Sequence, residues 1–158
     1  MADAIAINTS EPTVNSLPDA LDSLAHTGLA RLTRGLSPTA GLLAWHDWAI
    51  HLAISPGKQR KLLDKALDKQ QRFTRYALRA TATPHCTKCV EPLEQDRRFV
   101  DPAWQQWPFN LIHQGFLLQQ QWWHNATTGV RGVSRHHEDL VTFAGRQWLD
   151  MWSPVNFP

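Results

Sequence analysis

Residues 96–132 read DRRFVDPAWQQWPFNLIHQGFLLQQQWWHNATTGVRG, and this run decides the fold. Asp101-Pro102 and Trp107-Pro108 each offer a proline suited to the first position of a helix, where its missing N–H is not needed. A short helical turn is predicted at Pro102 to Gln106 and a longer helix from Pro108 to about Asn125. Thr127 to Val133, with two glycines, is predicted to be a loop. Four of the chain's eight tryptophans fall here: Trp104, Trp107, Trp122 and Trp123. Such large aromatics in a polar segment need a covering surface, either within the chain or on something it binds.

Outward from this run the helical signal continues on both sides. Ser134 is placed to cap a last helix running to about Trp152, with Glu138 and Asp139 near its start, where the helix dipole favours acids. Upstream, residues 80–95 break the pattern and read as an extended linker. Before them, a helix at about 56–79 has an apolar stripe of Leu63, Leu67, Gln70, Phe73 and Ala77, flanked by Leu62, Ala66 and Tyr76. Ser37-Pro38 and Ser55-Pro56 are paired start signals, so a helix to about Ile54 meets the next at a corner. Its predicted stripe is Leu42, Trp45, Trp48, Ala49 and Leu52. Pro18 to Arg34 forms a first helix on Leu21, Leu24, Ala25, Leu29 and Leu32, ended by Gly35. The expected architecture is all-α. It has about four main amphipathic helices, loosely packed, behind a disordered tail at 1–17. Two subassemblies are expected, 18–79 and 96–158, joined by the linker at 80–95.

Composition narrows the class. At 158 residues and 18.0 kDa, with 42% hydrophobic residues, the chain is long enough for one domain. A net charge of +2 does not by itself point to nucleic acid. Two cysteines three positions apart give no disulfide framework and suit a reducing cytoplasm. Residues 1–17 lack the basic and apolar regions of a signal peptide. Apolar runs fall well short of the roughly 20 residues that span a bilayer.

Candidate chemistry is sparse. Cys86 and Cys89, beside His85, have the spacing of half a zinc site, but no second cysteine pair exists, so two ordinary loop thiols are expected. His136, His137, Glu138 and Asp139 read as a polar first helical turn, because adjacent helix residues point about 100° apart. His46 and His51, five apart, do not share a metal-binding face. No catalytic, cofactor or metal residues are expected, and no cofactor. Between Lys58 and Arg79 stand eight Lys or Arg and two Asp. Such a face is usually solvated, though it leaves nucleic acid or an anionic surface open as a partner. The candidate interface is aromatic: Trp45, Trp48, Phe99, Trp104, Trp107, Phe109, Trp122 and Trp123.

Three segments also carry a resemblance: DRRFVDPAWQQWPFN (96–110), QQQWWHNATTGVRGVSRHHEDLVTFAGRQ (119–147) and SPVNFP (153–158). Together they resemble the amino-terminal region of class I poly(3-hydroxyalkanoate) synthases, which polymerise 3-hydroxyacyl-CoA thioesters into storage polyester. The stretch GLARLTRGLSPTAGLLAWHDWAIHLAISPGKQRKLL (28–63) resembles a second module at the extreme amino end of the same family. The family's catalytic α/β-hydrolase domain carries a Cys nucleophile in a Gly-x-Cys-x-Gly turn. This sequence contains no such turn, since no glycine flanks Cys86 or Cys89. The resemblance therefore implies a non-catalytic region acting in subunit association, catalytic-domain stabilisation and contact with granule-associated proteins or the polymer surface. It also implies a cytoplasmic location at the storage granule. Two alternatives stay open. One is a segment of an active acyltransferase whose Cys-Asp-His domain lies downstream. The other is a small nucleic-acid-tethering protein using the basic helix.

Overall fold

A computed structural model describes residues 17–32, 37–83 and 86–157. Residues 1–16 of the expected tail at 1–17, the helix stop at Gly35 and His85 lie outside the described residues, and Leu17 of that tail begins a helix. Among the described residues five helices follow in order: α1 (Leu17–Leu32), α2 (Pro38–Ala53), α3 (Pro56–Ala82), α4 (Phe109–Thr127) and α5 (Arg135–Met151). Single 3-10 turns stand at Pro102–Gln105 and Pro154–Asn156. There is no strand among the described residues, and the fold is all-α as the periodicities predict. No described helix is long and apolar enough to cross a membrane.

The chain divides into two units, Met1–Pro38 and Thr39–Pro158. The first holds α1, with Asp19 in its first turn and Arg31 in its last, both placed as the helix dipole favours. The second unit holds α2 to α5 and both 3-10 turns. Within it α3 packs along α4, across the boundary expected between the subassemblies at 18–79 and 96–158.

The local signals explain most helix ends. Asp101 caps the first 3-10 turn, its side chain accepting from Ala103 N at 2.8 Å. Ser134 Oγ accepts from His137 N at the start of α5. At the α2–α3 corner Ser55 does not cap α3. Its hydroxyl instead donates back to His51 O at 2.6 Å. Gln59, one turn into α3, donates to Leu52 O and Ala53 O, closing the last carbonyls of α2.

α4 is the central element, burying eight residues. α3 runs antiparallel to it. Lys58 Nζ donates to Thr128 O, Lys65 Nζ to Asn125 Oδ1, and Lys69 Nζ to Gln121 Oε1. Further along, the Phe73 ring meets the bare Cα side of Gly115, where an added Cβ would sit 3.4 Å away. Two apolar clusters flank the central helix. Val90 and Phe99 of the connecting segment pack on Phe116, Leu117 and Leu118, with Phe73 and Trp104 beside them. Ala44 and Trp48 of α2 pack with Val130 and Val141, backed by Trp123 and Leu140.

The faces of α2 and α3 differ from the predicted stripes. On α3 the buried line is Leu62, Tyr76 and Ala80, with Ala66 and Phe73 half-buried, whereas Leu63 is 54% and Leu67 53% exposed. The spacing 62-66-69-73-76-80 is a tighter helical seam than the predicted one, displaced by one residue. On α2, Ala44 and Trp48 are buried while Leu42 and Trp45 are exposed. Both helices carry apolar residues around a wide arc, and periodicity alone does not say where the arc's centre lies. The neighbours choose it: α4 for α3, and chiefly the α4–α5 loop and α5 for α2.

Candidate interaction site

The segment between α3 and α4 is extended, as expected, but it is fastened rather than loose. Gln114, fully buried on α4, does the fastening. Its Oε1 accepts from Cys89 N at 2.9 Å and Val90 N at 2.8 Å, and its Nε2 donates to Val90 O at 2.9 Å. Arg72 of α3 donates to the Cys89 carbonyl from the other side. Arg98 ties the same segment to α4 and α5, pairing with Asp96 and Asp150 at 2.7 Å each and with Gln120 at 3.2 Å. The guanidinium also lies 5.4 Å from the Phe116 ring centroid, within cation–π range. Hydrogen bonding from Arg98 holds the Asp96 carboxyl below the usual carboxylate range, against the opposing effect of burial. Sequence reading did not single out Gln114 or Arg98. A buried amide or guanidinium has no periodic signature until its partners are known.

A second polar joint fixes α2 to α5. The Asp47 carboxylate accepts from His137 Nδ1 at 2.6 Å, while His51 Nδ1 bonds the Asp47 carbonyl at 2.8 Å and lies 3.0 Å from the carboxylate. The His137 bond comes first among the influences that lower the Asp47 carboxyl below its ordinary value. Gly132, at φ +93°, lies so close to His51 that a Cβ there would fall 2.1 Å from the ring. Glu138 accepts from Gly129 N at 2.6 Å. The polar turn at 136–139 thus contributes packing bonds.

Cys86 and Cys89 are free. Burial pushes the Cys89 thiol up, and its Sγ lies 3.1 Å from Gln114 Oε1. Among the described residues no cluster of three His, Cys, Asp or Glu is placed to hold a metal.

The aromatic candidates separate into three groups. Phe99 is buried and meets Trp104 edge-on at 5.1 Å, and Trp104 meets Phe109 at 5.8 Å. Trp45 leans on buried Trp48, ring centroids 4.6 Å apart, and Trp48 Nε1 donates to Ala126 O at 2.9 Å. Trp122 and Trp123 are half-buried, and Trp122 Nε1 donates to Leu62 O at 3.1 Å. Trp48, Phe99, Trp122 and Trp123 therefore serve the unit's interior contacts. Trp45, Trp107 and Phe109 remain exposed, Trp107 at 64%.

The most extensive exposed aromatic stack was not among the predicted residues. Trp148, Trp152 and Phe157 form a row, with centroids 6.1 Å apart at each step. All three are more than half exposed, and Met151 and Phe143 beside them are exposed too. Asn156 donates to Asp150 O and Met151 O, which folds the chain back so that Phe157 stacks on Trp152. The i, i+4 spacing of Trp148 and Trp152 was the available signal.

With the geometry in view, the comparisons with known proteins can be placed on it. A family model described as "Poly-beta-hydroxybutyrate polymerase N terminal" matches residues 16–58, which span α1, α2 and the first turn of α3. A second, "Poly-beta-hydroxybutyrate polymerase (PhaC) N-terminus", matches residues 95–158, which span both 3-10 turns, α4 and α5. A poly(3-hydroxyalkanoate) polymerase of Methylorubrum extorquens is 35% identical over 69 residues, which is 43% of this chain and 11% of that relative. The chain therefore corresponds to a small part of that polymerase. No solved structure matches. Two amino-terminal modules, matched in the family's order, show that the chain belongs to the poly-beta-hydroxybutyrate polymerase family as an amino-terminal region.

Proposed function

We propose that this region is a non-catalytic interaction module of polyester storage. It joins polymerase subunits, supports a polymerase catalytic domain and contacts the granule or proteins on it. The observation that carries the reading is the exposed row of Trp148, Trp152 and Phe157 at the end of α5. Contiguous exposed aromatics of this kind mark interfaces, where Trp contributes more binding energy than most residues. Exposed Trp107 and Phe109 add a second aromatic area, and the outer side of α2 exposes Leu43, Ile50 and Ile54.

The acyltransferase-segment reading draws support from the polymerase relative, of which the matched part is 11%. It is compatible with the same surface, since a downstream domain would be one more partner. The nucleic-acid reading loses support from the basic helix. Lys58 and Arg72 turn their donors to the loop after α4 and to the connecting segment, and Arg60 pairs with Asp64.

The test is co-sedimentation with polyester granules and with a purified polymerase catalytic domain, together with self-association by analytical ultracentrifugation. Trp148→Ala with Trp152→Ala should weaken binding at least tenfold while the helical circular dichroism stays unchanged. Undiminished binding by this variant, or binding abolished by salt alone, would overturn the aromatic reading.

A further inference from the structure

A trough runs over α4 between α3 and α5 and lies wholly within the second unit. Its volume is about 1190 Å³. Leu117, Trp123 and Leu149 line its depth, and exposed Leu93 and Val155 line its lips. Pockets for small ligands are usually smaller, about 300–1000 Å³, and more enclosed.

The charge around the trough is unbalanced. Asp96 and Asp150, its central carboxylates, are engaged by Arg98. Lys65 and Lys69 on the α3 wall meet only the amide oxygens of Asn125 and Gln121. Among the described residues neither these lysines nor Arg97 has a carboxylate within ion-pair distance. Burial first, then the cations Arg72 and Lys65, hold the Lys69 ammonium below its usual value. Five cations, Lys65, Lys69, Arg97, Arg98 and Arg146, thus stand against three carboxylates, Glu91, Asp96 and Asp150, and those carboxylates are paired with Lys88 or Arg98.

We propose that this trough receives an amphipathic helix of a partner protein, with its apolar stripe in the trough and carboxylates facing Lys65, Lys69 and Arg97. Helix-in-groove docking of this type takes its affinity from apolar anchors at i, i+3, i+4 and i+7. Flanking charges set its selectivity. The trough's lining does not include Trp148, Trp152 or Phe157, and its test is separate from the one above.

The experiment uses the full chain and three synthetic helical peptides, with binding followed by fluorescence anisotropy. One peptide has a leucine stripe and Glu flanks, the second the same stripe and Lys flanks. The third has the acidic composition scrambled so that no stripe forms. The Glu peptide should bind at least tenfold more tightly than either of the others. In the variant Lys65→Glu with Lys69→Glu the preference should invert towards the Lys peptide. Asn125 and Gln121 can turn their amides to donate to the new carboxylates, so the fold should persist, and circular dichroism checks this. Equal binding of the Glu and Lys peptides, strong binding of the scrambled one, no binding at all, or no inversion in the folded variant would each overturn the proposal.

Discussion

Gln114 shows how a single residue can hold an otherwise irregular segment. Its amide satisfies three backbone groups of Cys89 and Val90, and Val90 is buried. Replacing it by leucine keeps the volume approximately but strands those groups. Each stranded group costs about 1–3 kcal/mol. Gln114→Leu should therefore lower stability by about 3 kcal/mol or more in urea titration, with faster proteolysis near residue 90. An unchanged midpoint would mean that the clasp is dispensable. Beside it, His113 is fully buried, with Nε2 2.9 Å from Gln114 Nε2. Burial pushes its imidazole below the ordinary value, with the carbonyls of Phe109 and Trp104 opposing. The unfolded chain then takes up this proton at higher pH than the folded one. Stability should be complete above the unfolded pKa of about 6.5 and should fall as pH drops from there towards the folded pKa. His113→Gln should flatten that slope. A slope that survives the substitution would place its origin elsewhere.

At the scale of elements, the seam between α3 and α4 can be tested by neighbouring leucines. Leu62 is 6% exposed and Leu63 is 54% exposed. Leu62→Ala should cost about 2–5 kcal/mol, as buried Leu truncations do. Leu63→Ala should stay within about 0.5 kcal/mol. Equal costs measured by denaturant unfolding would restore the predicted stripe over the observed one. The loop from α4 to α5 offers a second test at Gly132. Its φ of +93° strains any other residue, and a Cβ would collide with His51. Gly132→Ala should cost about 1–3 kcal/mol and should loosen the contact of α2 with α5. Hydrogen exchange on α2 reads that directly. A variant as protected as the parent would show that the loop adapts.

For the whole molecule, packing of α2 and α3 on α4 and α5 changes the expected unfolding behaviour. Two loose subassemblies would give a broad, staged transition. One unit sharing two apolar clusters across all four helices should lose them together. Unfolding of Thr39–Pro158 is therefore expected to be a single transition, with tryptophan fluorescence and circular dichroism midpoints coinciding. Midpoints separated by more than the measurement error would return the molecule to two independent parts.

Much was legible from local chemistry. Ser134 as a cap, Asp101 before Pro102, and the paired prolines at 38 and 56 placed helix boundaries within a few residues, because capping and proline geometry are properties of the adjacent backbone. The all-α class and the family resemblance were legible too, the one from periodicity and the other from ordered motifs. The buried faces were not. Leu62 and Leu63, or Trp48 and Trp45, differ little in hydrophobicity, and only the surfaces they meet, α4 for the leucines and chiefly the α4–α5 loop with α5 for the tryptophans, decide which is covered. The roles of Trp122 and Trp123 depended on Leu62 and on the α2 cluster, both more than fifty residues away in sequence. The same holds for Gln114, Arg98 and the row of Trp148, Trp152 and Phe157. Sequence determines what a residue can bond to, and only tertiary structure brings up the partner that removes it from water or leaves it there.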